Sequence, residues 1–226
     1  MTRWIGLAIL GMGGIALLLA LGLWQVQRLE WKSALLAEIE AGIAAEPVSL
    51  PNDIDPEDDR YLPVRVLGRT TGDELHVLVS TRRTGPGYRL IAPFETDGRR
   101  VLVDLGVVPT AEKEPLRTGQ STTVTGNLNW PRETDSFVPD PERDRNIWFA
   151  RDVDLMADAL GTEPVLIVAR TLDPPVPGVT QLPVSVEDIP NNHLQYAITW
   201  FSMALLWAGM TVLLGWRMAS RTSDKA

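Results

Sequence analysis

The sequence predicts two transmembrane α-helices, N- and C-terminal, flanking a mainly-β extramembrane domain of β-barrel or sandwich-like, α+β form. Three observations predict it. The stretches Trp4 to Leu23 and Tyr196 to Trp216 carry no charged residue, and each has about the 20 residues needed to cross roughly 30 Å of hydrocarbon. Between them lie short Val/Leu/Ile/Thr-rich runs bounded by Gly, Pro or Asp, the mark of strands joined by tight turns. Charge divides in the same way: residues 33 to 195 hold 15 Lys/Arg and 27 Asp/Glu, a net of −12, whereas the two ends hold 6 and 2, a net of +4.

Taken in order, residues 1–3 precede a first span over 4–23. Its apolar run exceeds the roughly 7 to 15 residues of a signal-peptide core and no A-x-A-like site follows, so it reads as an uncleaved anchor. Helical character continues through 24–46, where Leu29, Leu35, Leu36, Ile39 and Ile43 recur at three- and four-residue spacing until Pro47. The acidic PNDIDPEDDR (51–60) reads as a solvated connector. Strands are predicted over 61–70, 74–82, 88–96, 99–109, 121–130 and 165–172, joined as an antiparallel barrel or sandwich. One helix is predicted over 153–160, capped by Asp152 and stopped by Gly161. The charged, proline-containing stretch 131–146 is either a solvated excursion or a docking loop. Five prolines in 171–192 make a stiff return segment, so 47–192 comprises the β domain and its return linker. The second span covers 193–216 and a tail covers 217–226.

Orientation follows from the cations. Arg217, Arg221 and Lys225 come after the second span, and no Lys or Arg lies between Arg170 and Arg217. The tail, and with it the N-terminus, is expected on the cytoplasmic side and the β domain opposite. Arg28 and Lys32 run against this rule, because they follow the first span on the outer side while only Arg3 precedes it. They are read either as snorkelling lipid anchors or as contacts for something anionic: lipid headgroups, a partner's acid or a cofactor propionate.

Composition excludes several functions. With no cysteine, disulfides, thiolate metal sites and thioether haem attachment are ruled out. The acidic middle domain disfavours nucleic acid, and the scarcity of histidine, His76 and His193 only, disfavours copper delivery. No nucleophile elbow, phosphate loop, H-E-x-x-H or dinucleotide turn is present. The acids concentrate in loops, GPGYRL (85–90) reads as a hairpin turn, and His76 reads as a surface or core-edge residue. The chain is therefore not expected to be an enzyme.

The opening of the second span, NNHLQYAITWF (191–201), is the informative stretch. His193, Tyr196 and Trp200 share a helical face that Trp207 extends. A histidine above aromatic rings suits the iron of an apolar porphyrin, with His193 as the metal ligand. Equally, Asn191 or Asn192 caps the helix while the aromatics form a belt and packing surface. The first helix carries a matching set, Trp24, Arg28 and Trp31 at i, i+4 and i+7, with Gln25 and Lys32 flanking that face.

LGLWQVQRLEWK (21–32), GPGYRLIAPF (85–94), VLVDLGVVP (101–109) and NNHLQYAITWF (191–201) resemble, in order, the signature blocks of the Surfeit locus protein family, assembly factors of haem-copper cytochrome c oxidase. The resemblance spans nearly the whole chain. It implies a non-enzymatic factor in the bacterial inner membrane, with its soluble domain in the periplasm, acting on oxidase subunit I during insertion of haem a. Haem a synthase is a further partner on this reading. It also implies that His193 takes part in holding haem, with Trp200 close by. Arg28 and Lys32 become propionate or partner contacts by inference, with Trp24, Trp31 and Tyr196 as packing rings, and the cofactor is expected between the two helices. The alternative is a cofactor-free scaffold for partly assembled subunit I. One departure stands out: Leu105, Gly106 and Val107 occupy the place of the family's Arg-Gly-Trp-type sequence, so roles tied to that Arg and Trp do not carry over.

Overall fold

A computed structural model describes residues 2–223 apart from 72, 82–83, 115–116, 118 and 187–188, and excludes the side chains of 2, 3 and 221–223. Arg82, the last residue of a predicted strand, and the charges of Arg3, Arg221 and Lys225 lie outside that set. The chain forms two compact units, residues 1–38 with 187–226, and residues 39–186.

The first unit pairs α1 (Thr2–Ala44), up to residue 38, with α3 (His193–Ser223). Both helices are long and apolar enough to cross a membrane. Small residues let them pack closely. A Cβ on Gly22 would lie 2.6 Å from the Phe201 ring and one on Gly14 would lie 2.5 Å from the Trp207 indole, while Gly11 lies against Thr211. Such contact replaces the hydrophobic drive that is absent between helices in lipid.

The second unit holds six strands, β1 (Pro63–Thr70), β2 (Leu75–Thr81), β3 (Gly85–Thr96), β4 (Arg99–Pro109), β5 (Ser121–Leu128) and β6 (Leu166–Asp173), in the order β1-β5-β6-β4-β3-β2. The predicted flanked, mainly-β architecture is present, but the sheet is mixed and is not a closed barrel. β6 runs parallel to β4 from Leu102/Leu166 to Asp104/Val168. β1 meets β3 over two residue pairs at one corner. The helix α2 (Val153–Leu160) starts on Asp152, whose carboxylate accepts from the Leu155 amide at 3.0 Å, and ends on Gly161 at φ 62°.

Core residues occupy both faces of the central strands. On β3, Leu90, Ala92 and Phe94 enter one cluster while Ile91 enters the other, which also receives Met156 and Ala157 of α2. Burial on both faces explains the nearly unbroken apolar run of β4. GPGYRL, expected as a turn, opens β3 instead. Gly87 sits opposite Pro109, where a Cβ would collide with the Val108 carbonyl, so glycine permits the close strand approach.

Two buried polar clusters correct the expectation of loop-borne acids and an edge histidine. His76 is fully buried, its Nε2 2.9 Å from Glu74 Oε1, and the other oxygen of Glu74 accepts the Arg117 amide at 3.0 Å. His76 is sealed inside because its carboxylate partner goes in with it. Asp104, in the middle of β4, accepts from Arg89 and from the Gly106 amide at 3.1 Å, with Arg151 3.6 Å away. Arg151 in turn holds Glu133 of the 131–146 stretch. Burial pushes the Glu133 carboxyl up, but the hydrogen bonds and charge of Arg151, with a contribution from Arg89, outweigh it and hold the group below its ordinary value. For Arg151, burial opposes the charge, and Glu133 and Asp104 together more than restore it.

Asp104→Ala strands Arg89 without its acceptor and should cost about 3–5 kcal/mol, read as a lower urea midpoint of the full chain in detergent. Glu133→Gln should lower stability at neutral pH. Because the folded group titrates below its ordinary 4.5, the wild type loses this advantage as pH falls through that lowered value. The two unfolding midpoints should converge there.

Candidate functional site

The site region lies where α3 begins beside α1. The Asn192 carbonyl accepts the first helical bond, from the Tyr196 amide at 3.2 Å. Neither asparagine side chain caps the helix, contrary to the capping reading. Asn191 Nδ2 reaches across to Ser33 Oγ at 3.3 Å, and its Oδ1 is buried without a partner. Lys32 donates its ammonium to the Pro190 carbonyl. Two side chains of α1, about two turns beyond the next contact, thus fix the segment entering α3.

That next contact is the central one. His193 Nδ1 lies 2.8 Å from Gln25 Oε1. An amide oxygen can only accept, so the ring proton sits on Nδ1. Nε2, which carries the lone pair in the neutral ring, has no hydrogen-bond partner among the described residues. Gln25 is only 8% exposed and follows the helix-facing Gly22 by three residues.

The predicted aromatic face divides. His193, Trp200 and Trp207, at i, i+7 and i+14, are half-buried. Tyr196 is 55% exposed, since three residues advance it about 60° short of a full turn. The Trp207 indole donates to the Leu10 carbonyl at 3.3 Å, whereas Trp200 Nε1 is buried and has no partner. On α1, Trp24 and Trp31 are exposed, and the Arg28 guanidinium lies 4.0 Å over the Trp31 ring. Lys32 therefore joins His193 in the helix-entry cluster, while Trp24, Arg28 and Trp31 form a separate exposed stripe. Below His193 the helices touch where Gly22, Gly14 and Gly11 receive Phe201, Trp207 and Thr211.

Sequence reasoning placed Gln25 beside the site without assigning it a role. A usable signal existed: an amide at the end of an apolar helix face needs a partner, and His193 was the unpaired polar group at the start of the other span. Among the described residues, no group of three or more His, Cys, Asp or Glu could hold a bare metal ion.

Residues 13–205, which include both Gln25 and His193, match a family model described as the SURF1 family. The chain belongs to the SURF1 family. This SURF1 chain is 33% identical over 211 residues to Surfeit locus protein 1 of Rattus norvegicus, covering 81% of this chain and 67% of the rat protein. Against Surfeit locus protein 1 of Homo sapiens it is 35% identical over 214 residues, covering 81% and 69%. A SURF1-like protein of Monosiga brevicollis is 30% identical over 226 residues, covering 91% and 86%. None of these SURF1 names is that of an enzyme.

Since the chain lacks cysteine, Ser33→Cys with Asn191→Cys should form a spontaneous crosslink in membranes, seen as a mobility shift that reductant reverses. Adding Gly22→Leu should abolish it by driving Phe201 and α3 away from α1.

Proposed function

We propose that this protein is a membrane-anchored assembly factor for haem-copper cytochrome c oxidase that carries haem a as cargo and assists its insertion into subunit I. The observation that carries this reading is the state of His193. Its ring is held through Nδ1 by Gln25 while Nε2 is left with an unused lone pair, the arrangement of an imidazole poised to ligate.

Haem a, when bound, would supply an iron able to take an imidazole nitrogen as ligand. This chain's residues would do the rest. His193 would ligate, and Arg28 would offer a cation to an acidic edge group. Because the helices touch below His193, the cargo would lie against the pair, with Trp24, Trp31 and Tyr196 as exposed rings to pack on it. A single protein ligand suits release better than a closed bis-histidine site. On this reading the β domain would face the periplasm of a bacterial cell and the assembling subunit, with haem a synthase as a further partner.

A cofactor-free scaffold for subunit I is the second reading, favoured by the tight helix contact at Gly14 and Gly22. The full-length protein should be expressed with and without haem a synthesis, purified, and its absorption spectrum recorded. A haem spectrum that depends on synthesis and disappears in His193→Ala is expected. Undiminished haem in His193→Ala would reject the ligand assignment, and co-purification of subunit I with porphyrin-free, fully functional His193→Ala would establish the scaffold.

A further inference from the structure

Holding a histidine as a ligand requires more than placing its Cα. The two side-chain torsions and the tautomer decide which nitrogen presents a lone pair and where it points. Here the backbone entering α3 is secured independently, by Lys32 on the Pro190 carbonyl and by Ser33 on Asn191. Ring rotation and tautomer are left to a single contact, Gln25 Oε1 on Nδ1 at 2.8 Å. Gln25 is buried and sits on the helix-facing side of α1. An amide left unpaired there would carry a full desolvation cost, so its presence is explained by the partner it meets.

We infer that Gln25 is the positioning residue of the site: it holds His193 with the proton on Nδ1 and the lone pair on Nε2, and so sets both the strength and the electronic character of the bond His193 makes to a haem iron. This rests on the proposed haem-carrying role. An acceptor on the distal ring nitrogen raises the basicity of the ligating one and fixes its orientation, and losing such an outer contact typically weakens metal binding by about 10–100-fold. A group that merely filled space between the helices would leave the electronic properties of bound haem unchanged.

The test uses the full-length protein in detergent, titrated with ferric haem b, reading Kd and the reduction midpoint potential of the bound haem. Gln25→Leu keeps bulk but removes the acceptor, and should weaken binding by about 10–100-fold while raising the potential. Gln25→Glu restores an acceptor of greater strength, and should bind near the wild-type level with a lowered potential. Opposite shifts from the two variants are the signature that packing alone does not produce. The Ser33→Cys/Asn191→Cys crosslink, introduced into each variant, reports whether the helix pair is intact. If Gln25→Leu loses the crosslink, Gln25→Glu decides alone, and an unchanged potential in it overturns the inference. If both variants match wild type in Kd and potential while His193→Ala abolishes binding, Gln25 is packing only and the haem-carrying reading survives. If wild type and His193→Ala bind alike, that reading fails and the inference falls with it.

Discussion

A polar group withdrawn from water must have its hydrogen bonds replaced by the fold, and this one requirement organises both units of the chain. In the helix pair it matches Gln25 to His193, Lys32 to the Pro190 carbonyl and the Trp207 indole to the Leu10 carbonyl. In the β unit it draws Glu74, His76 and Arg117 into one knot, and Arg89, Asp104, Arg151 and Glu133 into a ladder. The matching is not complete in either unit. Trp200 Nε1 and Asn191 Oδ1 stay buried and unpartnered in and beside the first turns of α3, as do His76 Nδ1 and Asn127 Oδ1 in the β unit.

Much of this was legible in the sequence because it depends on local pattern. Charge-free runs gave the two long helices, alternating apolar runs gave six strands, and Asp152 with Gly161 gave the ends of α2. What escaped depends on which faces meet. The parallel register of β4 with β6 cannot be read from either strand, though a run as apolar as VLVDLGVV already fits burial on both faces. Asp104 in its middle marked a buried charge needing partners, and Arg89 and Arg151 lie far away in sequence. Likewise His76 in β2 and Glu74 just before that strand lie two apart and share a side, but whether that side is in or out was undecided until the fold covered it. Helical spacing alone grouped Tyr196 with His193 and Trp200; contact with α1 separates them.

The stretch Leu105-Gly106-Val107, where the resemblance implies an Arg-Gly-Trp-type block, has a structural meaning. Leu105 is fully buried and Val107 nearly so, both within β4. Gly106 adopts φ 125°, and a Cβ on it would collide with the Thr180 carbonyl, to which Val107 donates its amide at 2.7 Å. The glycine is thus required by backbone approach, while its neighbours here serve the core. A charged side chain at 105 would need a partner that the apolar cluster around it does not offer.

The sealing of His76 makes chemical modification of this protein unusually easy to interpret. With that ring closed off by Glu74 and the surrounding sheet, and with no thiol anywhere in the chain, an imidazole-directed reagent applied to the native molecule meets one target. Its rate of reaction therefore reports on a single atom, Nε2 of His193, so occupancy of that nitrogen becomes readable by mass spectrometry in intact membranes without any label.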